Sequence, residues 1–168
     1  MFLHGHPVNA RRQAEGKPAV NSLWLWGGGP LAEVPAPQFS AVCSDNPLAT
    51  GLALAAGIEA PPCPASLGTL LADSAPNDTP LILLDTLLPP VLYENSDDWR
   101  AAFAALERDW FVPLRAALGG KIESLTIVAP TIYGQLTWTL HGKDRWKFWR
   151  KSRPLQAMAK ELAEGTPS

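Results

Sequence analysis

The run "PLILL", residues 80–84, holds no polar residue and no alternation, so both faces of whatever it forms must be covered. A strand of that kind lies inside a parallel sheet with helices on either side. The acid and prolines of "DTLLPP" end it at strand length. This one segment points to layered α/β structure, and the neighbouring periods agree.

"HPVNARRQAEG" predicts a helix with Pro7 in its first turn and Gly16 as its stop. "FSAVCS" predicts a second short strand. "DNPLATGLALAAG" predicts a helix capped by Asp45 or Asn46 and closed by Gly57. "IEAPPCP" is an extended connector or strand, and "ASLGTLLADS" a short helix. "NSDDWRAAFAALERDWFVPLRAALGG" has the strongest helical period. Ser96 is its expected cap, Asp97 and Asp98 suit its positive end, and Trp99, Phe103, Leu106 and Trp110 form an apolar stripe. Pro113 should kink or divide it. "IESLTIVAP" predicts a further central strand. The order of elements predicts an α/β fold, a mainly parallel sheet flanked by helices, in one domain over residues 1–168.

Two stretches carry unusual aromatic content. "NSLWLWGGGP", residues 21–30, predicts a strand with Leu23 and Leu25 on one face and Trp24 and Trp26 on the other. Gly27, Gly28 and Gly29 then allow a tight turn or a close approach to the backbone. A buried strand ending in such a turn is where open α/β sheets place ligands. Near the other end, "QLTWTLHGKDRWKFWRK" alternates on both sides of "HGKD". It predicts a basic-aromatic β-hairpin extension over 131–153, turning near Gly142, with Leu136, Trp138 and Leu140 on one face. Burial of those aromatics by packing on the sheet is favoured over a stacking surface for single-stranded nucleic acid.

Charge is distributed unevenly. Residues 18–99 contain nine acids and no base; residues 143–168 contain seven bases and three acids. An acidic body with a basic end does not present one broad nucleic-acid surface, so nucleic acid is not an expected partner. No apolar run reaches the ~18 residues of a membrane span, and "MFLHGHPVNARRQ" lacks a signal-peptide core. Cys43 and Cys63 do not make a disulfide framework or, with no histidine nearby, a zinc set. A cytoplasmic location with reduced thiols is therefore expected.

"HPVNARRQAEGKPAVNSLWLWGGG" resembles a segment of the archaeal-type cofactor-independent phosphoglycerate mutases, which reads roughly H-P-x-N-x-x-R-x-x-x-G and then A-N-x-(I/L)-W-L-W-G-x-G. His6, Pro7, Asn9, Arg12, Gly16, Asn21, Trp24, Trp26, Gly27 and Gly29 fall in matching places. "AVCSDNPLATGLALAAGIEAPPCP" follows that family's strand, helix and turn order, and the resemblance extends from about residue 4 to residue 130. It is closer still to a bacterial family of regulatory proteins of the RpfE type. The resemblance implies a fragment of the alkaline-phosphatase-like fold. It also implies ligand-binding roles for Asn9, Arg12, Asn21, Gly27 and Gly29, with a small phosphorylated or carboxylate anion as ligand.

The departures are equally informative. The mutases use two divalent metals and a serine nucleophile, with ligands from an H-x-E-A-x-D-x-x-G-H motif and a later D-H-x-T-P motif. Here the first place reads "LLDTLLPPVLYEN", leaving Asp85 as a relic ligand at most; the second reads "LTIVAPTIYGQ", with Thr131 and Ile132 where the acid and histidine belong. The serine of the family lies before the region of resemblance. The expectation is a non-catalytic relative with no metal, cofactor or catalytic residue, binding a small anion, a protein partner or a second copy. Two alternatives stand beside it. One is a metal-dependent mutase or phosphohydrolase completed by an N-terminal half; the other is an adaptor using the basic-aromatic hairpin on an anionic partner.

Overall fold

The computed structural model describes the chain apart from residues 1–2, 4, 25–27, 30–37, 76, 132–133, 147–152 and 166–168. It divides into two compact units, Met1–Pro35 and Ala36–Ser168.

In the first unit, helix α1 (Pro7–Ala14) begins where Pro7 fixes φ and the His6 ring accepts the Val8 N–H at 3.2 Å. It stops at Gly16, whose φ of +69° a residue with a side chain rarely adopts. Residues 17–20 then fold back beside the helix. The predicted strand over 21–26 fails in its described part. Residues 21–24 join no ladder, and Leu23 and Trp24 are 75% and 86% exposed. Alternation marks which side chains share a face, but a strand also needs a neighbouring edge for its backbone groups, and among the described residues none lies beside 21–24. Leu25, Trp26 and Gly27 lie outside the described residues.

The second unit begins with strand β1 (Val42–Cys43), buried throughout, followed by helix α2 (Pro47–Ala55). Helix α3 (Leu67–Asp73) starts at Ser66, whose Oγ accepts the Thr69 N–H. Strand β2 (Leu81–Ile82) pairs in parallel with β1, Val42 opposite Leu81 and Cys43 opposite Ile82. On the other side of β1, Val42 N–H donates to Glu59 C=O and Ser44 N–H to Pro61 C=O. The parallel arrangement is thus present but small. Leu81 and Leu83 remain 39% and 36% exposed, so the "PLILL" run is covered on one face more than the other.

Helix α4 (Leu88–Leu92) packs on α5 (Ser96–Leu106), and Asn95 rather than Ser96 caps α5, its Oδ1 accepting the Asp98 N–H at 3.1 Å. The long helical period is divided, as Pro113 requires, through a π-helical turn at Glu107–Phe111, with Val112 N–H reaching back to Glu107 C=O. Widening the turn before a residue that has no N–H avoids the clash of its ring with the preceding carbonyl. Helix α6 (Val112–Ala117) follows. The core lies where α3 meets the π turn and α6. Leu67, Leu106 and Trp110 are buried there, with Leu70, Ile82, Leu84 and Leu114 packed around them. Trp99 and Phe103, from the same predicted stripe, stack on each other at 5.3 Å on the surface.

Strands β3 (Ser124–Thr131) and β4 (Gly134–His141) form an antiparallel hairpin, with Ile127 opposite Trp138 and Leu125 opposite Leu140. This corrects two expectations. "IESLTIVAP" is not a central parallel strand, and the hairpin spans 124–141 rather than 131–153. β4 pairs backwards because "SLTIVAPT" supplies eight matching rungs, whereas Gly142–Trp146 coils into a 3-10 turn. The predicted Leu136, Trp138 and Leu140 face is present, each residue half-buried. Lys147, Phe148, Trp149 and Arg150 lie outside the described residues, as do Ile132 and Tyr133 at the hairpin tip. Gly142 serves close approach rather than positive φ: a Cβ on Gly119 would meet its Cα at 2.7 Å. A final helix, α7 (Leu155–Ala163), ends the described chain, and no described helix is long and apolar enough to cross a membrane.

Candidate functional site

In the first unit, two side chains organise the α1 turn. Asn9 is 4% exposed; its Nδ2 donates to the carbonyls of Leu3 at 2.8 Å and Val20 at 3.0 Å, and its Oδ1 accepts the Val20 N–H at 2.8 Å. One amide therefore engages both backbone groups of Val20, as a neighbouring peptide in a sheet would. Arg12 Nε donates to Pro18 C=O at 2.8 Å, while Arg12 C=O accepts the Lys17 N–H at 2.8 Å. Among the described residues this guanidinium makes no other hydrogen bond, so its terminal nitrogens are available for a planar anion. Asn21 is exposed just past the clamp, and Gly29, at φ +150°, has open space where a Cβ would stand. Gly27 lies outside the described residues. Of the predicted ligand residues, the α1 turn thus brings together Asn9 and Arg12.

In the second unit, chemistry-bearing groups gather at the carboxyl ends of β1 and β2, where open parallel sheets place ligands. Ser44 is buried and its Oγ accepts the Asn46 N–H at 3.0 Å. Asn46 caps α2, its Oδ1 accepting the Leu48 N–H, and its Nδ2 donates to Asp85 Oδ2 at 3.3 Å. Asp45 Oδ1 accepts the Cys63 N–H at 3.1 Å. Asp85, read as a relic metal ligand, stands in this network.

The surroundings of the two thiols here disfavour the thiolate. Burial pushes the Cys43 thiol above its ordinary value of 9.0. Cys63 is pushed up by burial first, and then by Asp45, Cys43 and Asp85, whose negative charges disfavour a thiolate.

The donor set does not fit the two divalent metals that the mutase resemblance implies. Among the described residues no group of three or more His, Cys, Asp or Glu side chains is placed to hold a metal ion. Asp45 and Asp85 are engaged with a backbone N–H and a side-chain amide. No catalytic step through a metal follows from these residues.

Sequence reading found Asn46 as a cap but not its link to Ser44 and Asp85. Hydrogen bonds from residue 46 to 44 and 48 are local and leave a capping signature, whereas the contact with residue 85 depends on the pairing of β1 with β2.

Two curated relatives match part of the chain. One is the 2,3-bisphosphoglycerate-independent phosphoglycerate mutase of Methanoculleus marisnigri, 36% identical over 79 residues, which is 43% of this chain and 19% of that protein. The other is the protein of the same name from Methanothrix thermoacetophila, 37% identical over 76 residues, 41% of this chain and 19% of the relative. The match spans about a fifth of either relative's length. No family model matches the chain, and no solved structure matches it. The chain is similar in part to cofactor-independent phosphoglycerate mutases.

Proposed function

We propose that this chain is a non-catalytic relative of the cofactor-independent phosphoglycerate mutases that binds a small phosphorylated or carboxylate anion at the α1 turn. The observation that carries this reading is Arg12: tied by one nitrogen to Pro18, it is held in place with its terminal nitrogens uncommitted among the described residues. Arg11 adds positive charge in the last turn of the helix, while Lys17 is paired with Glu15 at 2.7 Å. Asn9 acts as the positioning residue, fixing the strap over which Arg12 reaches, and Asn21, Gly27 and Gly29 would complete the site from the segment beyond it. A role in regulation, as the likeness to the RpfE type suggests, would follow from binding without turnover. The small parallel arrangement in the second unit would be the remainder of an alkaline-phosphatase-like sheet, and a cytoplasmic setting suits a phosphorylated metabolite.

Titration calorimetry with a phosphorylated three-carbon acid tests the reading. Saturable binding by the native chain, weakened at least about tenfold in Arg12→Ala, is expected, since a charge-assisted bond lost to an anion is worth about 1.5–3 kcal/mol. Indistinguishable titrations of the two proteins would overturn it.

A second reading rests on the match to a fifth of the relatives' length: the chain as one part of a metal-dependent mutase. Manganese-dependent turnover by the chain, lost in Asp85→Ala, would favour it.

A further inference from the structure

Strand β4 contains Leu136-Thr137-Trp138-Thr139-Leu140, a sequence that reads the same in both directions about Trp138. Such symmetry matters only if the strand meets itself antiparallel. Its outer edge, the one turned away from β3, carries no strand among the described residues. Placing a second β4 there with the two-fold axis at Trp138 sets Leu136 opposite Leu140, Thr137 opposite Thr139, Trp138 opposite its own copy, and Gln135 opposite His141. Every rung from Leu136 to Leu140 then joins like with like. The apolar face runs unbroken from Leu125, Ile127 and Ala129 of one copy to the same residues of the other, and the threonine face is equally continuous.

Three further observations favour this pairing. Residues 124–142 contain no Asp, Glu, Lys or Arg, so the charges by which proteins guard exposed edges are missing, and self-pairing meets no like-charge repulsion. β3 carries Pro130, which cannot donate a ladder hydrogen bond and suits an outermost strand, whereas β4 has no proline and suits an interior one. Finally, a two-stranded hairpin by itself is marginal in water, and the apolar face of this one stays partly exposed. We infer that β4 pairs with β4 of a second copy of this chain about a two-fold axis at Trp138, forming a four-stranded sheet in the order β3–β4–β4′–β3′. The contact is isologous and closes at two copies, so it produces a dimer rather than a filament.

The test uses charges on the threonine face, which do not disturb the apolar one. Sedimentation equilibrium of the native chain over a dilution series is expected to show a monomer–dimer equilibrium. A Thr137→Lys/Thr139→Lys variant places lysines opposite lysines, and a Thr137→Glu/Thr139→Glu variant places acids opposite acids. Each alone should dimerise at least about tenfold more weakly, and an equimolar mixture should recover association as a heterodimer, which also shows that both variants fold. Amide hydrogen exchange of the unmodified chain gives a second reading free of substitutions. With the outer edge paired, both alternating sets of β4 amides are protected, and one set loses protection on dilution. A native chain that stays monomeric at every concentration, variants that dimerise undiminished, or an outer set of amides exchanging fast at high concentration would each overturn the proposal.

Discussion

Trp110 and Trp138 look equivalent in sequence, each on an apolar period flanked by aliphatic residues, yet their surroundings differ. Trp110 is 5% exposed among Leu67, Leu106 and Leu114, at a junction where three elements meet. Trp138 sits on a two-stranded sheet and stays half-buried beside its partner Ile127. A period identifies the face that must be covered; it does not identify the cover. In the helical region α3 supplies the cover from within the chain, whereas in the hairpin the outer edge of β4 remains open among the described residues.

That contrast can be broken by truncation. Trp110→Ala should cost about 3–5 kcal/mol of unfolding free energy, the range for emptying a large aromatic site in a packed core. Trp138→Ala should cost about 1–2 kcal/mol in dilute protein, because the ring is less completely buried than that of Trp110. Urea unfolding of both variants at matched concentration decides the matter, and equal losses would show that the hairpin is as enclosed as the helical core.

A second substitution sharpens the comparison from the first unit, where hydrogen bonds substitute for apolar packing. Asn9→Asp is nearly isosteric but turns two donor bonds into contacts between a carboxylate and the carbonyls of Leu3 and Val20. A loss of about 1–3 kcal/mol in the local stability of this turn is expected, read as faster exchange of the Val20 amide. Exchange of amides in the core around Trp110 should be unchanged; a parallel change there would show the two units to unfold as one.

The smallest expected effect is at alkaline pH. Burial raises the Cys43 and Cys63 thiols in the folded protein above 9.0, so the folded chain holds these protons more tightly than the unfolded chain. Their contribution is complete below pH 9 and is lost as pH rises through the folded values. Unfolding free energy should therefore decline more steeply above pH 9 in the native chain than in a Cys43→Ala/Cys63→Ala variant. Identical slopes would contradict the assignment.

What was legible in the sequence follows from the range of the interactions. Asn46 and Ser66 bind backbone groups two or three residues away, and Gly16 and Gly57 end helices through their own φ, so these boundaries stand in the local sequence. The helical period around Pro113 was legible too, though not the π turn that absorbs it. The α1 clamp was not, because Asn9 binds across eleven residues and nothing near it marks Val20 as its partner. The partner of β4 was not legible for the same reason: alternation in "SLTIVAPT" marks its two faces, and only backbone pairing sets it beside β4. The site residues divide likewise: the Arg12 contact with Pro18 follows from a turn six residues long, while Asp85 meets Asn46 across thirty-nine.

Gly119 and Gly142 bring two main chains together where the hairpin leaves the helices, closer than a Cβ on Gly119 would allow. Contacts between side chains degrade by degrees, since a neighbour can repack around a smaller or larger group. A contact between two bare backbones has no such reserve. A single methyl at either glycine forces the two backbone segments apart. The joint between the two halves of this unit thus has an all-or-none tolerance.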